Sequence, residues 1–179
     1  MAGRATAAAD DGLRAAAALD SPLLRGLAAA ASGESDPMLT TIEKLMYLRV
    51  VPTFAQLELE AVRALAEVAI TVTYRAGEPI FVEGEGGDCL FVVTEGRVAL
   101  TSAATTLAEL GSREHFGEMS LFDSGRRSAG ATALRDTTLL RVDHDDFYRL
   151  GHRHPEILAG VISVLSARLR AANAQLAAP

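Results

Sequence analysis

Glu118 and Arg127 stand nine positions apart in the run FGEMSLFDSGRRSA, residues 116–129. An arginine fork matches two oxygens of a phosphate and keeps its charge at any physiological pH. A carboxylate accepts hydrogen bonds from hydroxyls, such as those of a ribose. Between them, GEMSLF is a short apolar stretch with room for one helical turn, whose first amides favour an anion. Ser128 adds a hydroxyl, and the amides of Ser128 and Ala129 can join the cradle. Donors at one end and a lone acceptor at the other suit a sugar phosphate or a nucleotide. The opposing expectation is that Glu118 and Arg127 pair with each other or lie in solvent. A surface pair is worth ~0–1 kcal/mol, whereas a buried one loses several kcal/mol per ion to desolvation. Two charges buried beside a glycine-rich turn would therefore ask for a ligand.

Other constellations carry less. His152-Arg153-His154 lacks the further ligands that a zinc site needs and reads as a helix start, and His115 reads as a strand end. Gly84–Asp88 is glycine-rich but lacks the Gly-Lys-Ser/Thr ending of a triphosphate loop, so it reads as a turn. No G-x-S-x-G elbow occurs. The single cysteine, Cys89, excludes an intramolecular disulfide; within DCLFVV it reads as a strand or core thiol. The expectation is a protein that is not an enzyme and uses neither metal nor cofactor. A net charge of −6 argues against nucleic acid or an anionic membrane as partner, while leaving room for a local basic pocket. No apolar run approaches the ~18 residues of a membrane span. Asp10, Asp11 and Arg14 interrupt what would be the core of a signal peptide, so a cytoplasmic protein is expected.

The elements that must position the two charges follow from the periodicity. At 179 residues, 49% of them hydrophobic and none Trp, the chain can hold one sizeable domain and an accessory piece. Residues 1–37 form an alanine-rich, helix-patterned extension punctuated by Asp20-Ser21-Pro22 and Ser35-Asp36-Pro37. Residues 38–66 read as a helical bundle: Leu39, Ile42, Leu45 and Met46 share one face, Pro52 ends that helix, and Phe54, Leu57, Val62, Leu65 and Ala66 trace another. From residue 67 the period becomes two, as Val68, Ile70, Val72 and Tyr74 alternate with small residues. Short strands follow at 79–83, 89–93, 97–102 and 105–110, then in AGATAL and TTLLRV, with glycine turns between them. This predicts an antiparallel β-roll, jelly-roll-like with about eight strands, over residues 67–142. In the tail, 143–176, Asp143 is placed to cap a short helix and His154-Pro155-Glu156 to open a long one. Leu158, Val161, Ile162, Leu165, Leu169 and Leu176 form the apolar stripe of the long helix. The fold class is α+β: a roll with N-terminal helices and two C-terminal helices.

FGEMSLFDSGRRSA resembles the phosphate-binding cassette of cyclic nucleotide-binding domains, of the type found in the catabolite activator protein and the regulatory subunit of protein kinase A. YRAGEPIFVEGEGGDCLFVVTEGRVAL resembles the first strands of the same family, and the likeness spans roughly residues 45–172. The resemblance implies that Glu118 accepts the ribose 2′-OH, Arg127 pairs with the cyclic phosphate, and Gly117 lets the backbone approach the sugar. Ser128 and Ala129 would complete the phosphate contacts; Met119 and Ser120 are mild departures from the more usual Leu and Ala. Cyclic AMP is the implied ligand, with cyclic GMP as an alternative because of the hydroxyl at Ser128. The long helix would act as a lid, through Leu165, Arg168 and Leu169, and would relay binding to an effector contacted by the terminal helices. It could also pair with its copy in a homodimer. Residues 20–50 resemble the end of a HEAT-type repeat array. The competing expectation is an interaction module that kept the fold and no longer binds nucleotide.

Overall fold

The computed structural model describes residues 39–103, 105–122 and 125–176. The extension expected at 1–37, and with it most of the HEAT-like stretch, lies outside the described residues. All described residues belong to one compact unit that begins at Met38.

Helix α1, Thr41–Arg49, opens on a capping box in which the Thr40 hydroxyl accepts from the Glu43 amide and the Glu43 carboxylate accepts from the Thr40 amide. It stops at Val50, two residues before Pro52. The second expected helix is shorter than its apolar pattern suggests: residues 51–56 are turns, and α2 runs Leu59–Val68. Phe54 and Leu57 are buried nonetheless, so their spacing reports burial rather than helix. Val68 closes α2 instead of starting the first strand.

Eight strands follow: β1 Ile70–Tyr74, β2 Pro79–Phe81, β3 Cys89–Glu95, β4 Val98–Ser102, β5 Thr105–Leu110, β6 His115–Phe116, β7 Gly130–Ala133 and β8 Thr137–Asp143. Between β6 and β7 lies a one-turn helix, α3, Met119–Phe122. The strands make two four-stranded antiparallel sheets, ordered β1-β8-β3-β6 and β2-β7-β4-β5. The expected roll of about eight strands is what forms.

β3 explains how roll and helices share one body. Side chains alternate across a strand, so Leu90 and Val92 join a core with Leu48, Phe54, Val62, Leu65 and Phe147 of the helical segments. Cys89, Phe91 and Val93 face the other core, inside the roll, with Ile80, Phe81, Val98, Leu110 and Phe116. A strand buried on both faces reads as an unbroken apolar run, as CLFVV does.

Helix α4, His144–Arg153, follows β8, and α5, Pro155–Leu176, ends the described chain. Asp143 takes the N-cap position of α4 but caps nothing with its side chain; its carboxylate instead pairs with Arg141 at 2.7 Å. α5 sits hard against the turn after α1, since a methyl group on Gly160 would lie 2.5 Å from the Thr53 carbonyl oxygen. Its buried positions are Ile157 and Val161, with Leu158 and Leu165 half-buried. Ile162 and Leu169, expected in the apolar stripe, are exposed. Pro155–Ala174 is, contrary to the sequence expectation, long and apolar enough by length and composition to cross a membrane. Its first half is tied into the domain core, however, and Arg168 turns back onto the roll.

Candidate functional site

Arg127 enters the roll on a short stretch of backbone pinned on both sides. Its amide donates to the Glu85 carbonyl, its carbonyl accepts from the Gly84 amide, and Gly86 bridges Arg126. The glycine stretch 84–87, read from sequence as a turn, is thus also the second wall of the site. Arg127 is only 5% exposed. Its Nη1 donates to the carbonyls of Cys89 (2.8 Å) and Gly117 (2.9 Å) and to Ser120 Oγ (2.9 Å); its Nη2 donates to Cys89 Sγ at 3.1 Å. The Phe81 ring lies 4.1 Å from its Cζ, a favourable place for a cation. Nε is buried and has no partner. Every acceptor named here is neutral. Among the described residues no carboxylate lies within ion-pair distance of this buried charge.

Gly117 and Gly87 make the room. Gly117 holds φ +81°, which favours glycine, and a side chain there would meet Arg127 Nη1 at 2.7 Å. One on Gly87 would meet Arg127 Nε at 2.5 Å. Phe81, Gly87 and Cys89 belong to the site's surroundings yet were not among the residues singled out for it, because only the fold brings 81–89 against 127.

Glu118 is 2% exposed. It pairs with neither solvent nor Arg127: Arg168 Nη1 reaches across from α5 to Glu118 Oε1 at 2.7 Å, while Arg168 Nη2 donates to the His115 carbonyl at 2.7 Å. Glu118 Oε2 is buried without a partner. Burial raises the Glu118 carboxyl above its usual range; the charges of Arg168 and Arg127 and its own amide pull it back only in part. His115 is held neutral, its pKa lowered from 6.5 to about 4 by burial first and by Arg168 second. Its Nδ1 lies 3.2 Å from Thr53 Oγ1, linking the site to the turn on which α5 rests.

Of the remaining sequence-predicted residues, Ser120 and Gly117 touch Arg127, and Ala129 is buried next to the exposed Ser128. Ser128 Oγ lies 3.4 Å from Met119 Sδ. Of the three lid candidates, Arg168 meets the site, Leu165 packs on the helical core and Leu169 is 63% exposed. α3 is tied to α4 by the Tyr148 hydroxyl, which donates to the Leu121 carbonyl at 2.9 Å, and by edge contacts of Phe122 with Phe147 and Tyr148. A cavity of about 570 Å³ opens nearby, lined by Gly87, Ser120, Leu121 and Phe122, and by Asp88, Asp143, Asp145 and Asp146. Four aspartates suit it poorly to a phosphate, and neither Glu118 nor Arg127 lines it. No group of three His, Cys, Asp or Glu among the described residues is placed to hold a metal ion.

Comparison with known proteins bears on this geometry. Residues 71–154 match the family described as cyclic nucleotide-binding domain. The chain is 42% identical over 108 residues to the cyclic AMP receptor protein of Thermus thermophilus, covering 58% of this chain and 50% of that protein. The crystal structure of the Thermus thermophilus catabolite activator protein superposes with a TM-score of 0.65 at 39% identity, over 70% of this chain and 61% of the other. The N-terminal domain of a transcriptional regulator from Streptomyces coelicolor superposes with a TM-score of 0.60 at 38% identity, over 74% of this chain and 96% of the other. The chain thus spans about half the length of that Thermus thermophilus receptor protein, and nearly all of the Streptomyces coelicolor domain. The two antiparallel sheets with terminal helices give the chain the cyclic nucleotide-binding β-roll fold, and its segment 71–154 matches the cyclic nucleotide-binding domain family.

Proposed function

We propose that the chain is a non-catalytic regulatory sensor of a cyclic mononucleotide, with cyclic AMP as ligand and cyclic GMP as the alternative. One observation carries this reading: a buried arginine with no carboxylate partner among the described residues and a free Nε stands in the same fold as a buried carboxylate with a free Oε2. An uncompensated buried cation is costly, and an anion that satisfies its open donors relieves that cost. In this reading Arg127 takes the cyclic phosphate, with Ser128 and the Ala129 amide beside it. Glu118 takes the ribose hydroxyl on Oε2, while Arg168 aims the carboxylate and favours its charged form against burial. Gly117, Met119 and Ser120 form the turn that holds the sugar side. Movement of the cassette would reach α5 by two routes, through Tyr148 and α4 and through Arg168 directly. An effector contacted by the terminal helices would receive it, and the exposed Ile162 and Leu169 offer α5 a seam for a homodimer. The chain's net charge of −6 supports no direct role for nucleic acid, and a cytoplasmic setting goes with this reading.

A second reading, a module that no longer binds nucleotide, draws on Arg168: it already occupies one oxygen of Glu118. Thermal melting separates the two. Ligand at a hundredfold over Kd adds ~2.7 kcal/mol, which for a chain of this size raises the melting temperature by about 5–11 °C. Arg127→Ala should remove that rise. It should also lower the melt without nucleotide, because the Cys89 and Gly117 carbonyls lose their donor. No rise with millimolar cyclic AMP or cyclic GMP establishes the interaction module instead. Cyclic AMP recovered unhydrolysed after prolonged incubation is the result expected of a sensor.

A further inference from the structure

We infer that Cys89, a residue the nucleotide-binding reading leaves unused, sets the orientation of Arg127 by holding one edge of its guanidinium, so that the adjacent edge faces the ligand's phosphate. This inference rests on the proposed function and names a positioning residue within the same site.

The geometry is specific to the atoms. A guanidinium has five N–H donors in a rigid plane. Cys89 engages both terminal nitrogens at once: its backbone oxygen takes Nη1 at 2.8 Å and its sulfur takes Nη2 at 3.1 Å. That is a grip on the end-on edge of the fork. Gly117 and Ser120 add to the hold on Nη1. Among the described residues Nε–H has no partner and Nη2 has only the sulfur, which leaves two donors side by side on the neighbouring edge. Nε is buried and without a partner in a side chain that is 5% exposed. Two parallel donors on one edge are the pair an arginine presents to two oxygens of a phosphate. Phe81 below the plane and Gly87 beside Nε prevent tilting. Rotating the guanidinium so that the open edge turned away would break both bonds to Cys89.

The sulfur suits this role because it stays a neutral thiol. Burial raises the Cys89 pKa and outweighs the opposing charges of Arg127 and Arg141. A thiolate or carboxylate there would compensate the arginine internally and compete with a bound anion. A thiol is a weak acceptor that orients the fork and leaves its charge for the ligand.

The test is calorimetric titration with cyclic AMP of the unmodified protein, Cys89→Val and Cys89→Ser, each accompanied by a melt without nucleotide. Cys89→Val keeps the volume and removes the acceptor; it should weaken binding about five- to tenfold. Cys89→Ser restores an acceptor and should stay within about twofold of the unmodified protein, which a purely packing role would not produce. Binding by Cys89→Val equal to that of the unmodified protein, or an equal loss in both variants, overturns the inference and leaves the nucleotide reading standing. No binding by the unmodified protein overturns both. Should Cys89→Val fail to fold, nitrogen-15 NMR of the unmodified protein decides. The Arg127 Nε–H resonance should shift on adding cyclic AMP, and its remaining fixed would overturn the proposal.

Discussion

Glu118 is nearly sealed from water, and Arg168 is the strongest charge holding its carboxyl down against burial. Arg168→Ala removes that charge, so the Glu118 pKa should rise further, as carbon-13 NMR of the carboxyl would show. Leaving a buried acceptor without its charged donor costs ~1–3 kcal/mol, and cyclic nucleotide affinity should fall with it. A pKa unmoved by Arg168→Ala would mean that the contact contributes nothing to the site. Gly87 makes the complementary case. Its backbone is not in the left-handed region, so alanine there is free of backbone strain, yet the added methyl meets Arg127 Nε at 2.5 Å. Gly87→Ala should cost more than tenfold in cyclic AMP affinity by titration while the fold persists by circular dichroism. Such a loss would separate the arginine's position from the stability of the roll.

At the scale of elements, α5 is two helices in one. Ile157 and Val161 are fully buried and Gly160 lets the backbone close onto Thr53, whereas residues 169–174 are exposed. Because the obstacle at Gly160 is a carbonyl oxygen rather than a flexible side chain, Gly160→Ala must push the helix away. Overpacking of this kind costs ~1–3 kcal/mol, or roughly 2–12 °C of melting temperature for a chain of this size. A melt of Gly160→Ala equal to that of the unmodified protein would show that α5 does not seat on this turn. The distal half is held by different means, Leu165 packing and the two bonds of Arg168 to Glu118 and the His115 carbonyl. The Arg168 bonds belong to the proposed ligand site, so the distal half of α5 is the half that site can grip.

For the whole molecule, pH reads how tightly the helices and the roll are joined, because His115 lies between them. Its folded pKa, about 4, is below the 6.5 of an exposed histidine. The stability it contributes is therefore complete above pH 6.5 and is lost as pH falls toward 4. By pH 5 the loss is about 2 kcal/mol, equivalent to roughly 4–8 °C in melting temperature. Glu118 acts with the opposite sign, its raised pKa favouring the fold at low pH and less so as pH rises. Comparison with His115→Asn isolates the histidine. The fall in melting temperature from pH 7.5 to 5 should be smaller in the variant by about that amount, and equal falls would place His115 in contact with water.

Local rules were enough for much of this protein. Period-two strands with glycine turns gave away the roll, and Pro155 marked the start of α5. The capping box of Thr40 and Glu43 also obeys a local rule, although it was not among the expected helix starts. The charged pair Glu118 and Arg127 was also legible, since the family pattern lies within fourteen consecutive residues. What sequence alone misjudged depends on burial: Phe54 and Leu57 looked helical because they are buried, and Ile162 and Leu169 looked buried because they are apolar at helical spacing. Periodicity reports which residues are apolar, and the packing of distant segments decides which of them leave water. The partners of the two charges were decided in the same way. Arg168 lies fifty residues from Glu118 and Cys89 thirty-eight from Arg127, distances in sequence that the close-packed roll reduces to a hydrogen bond.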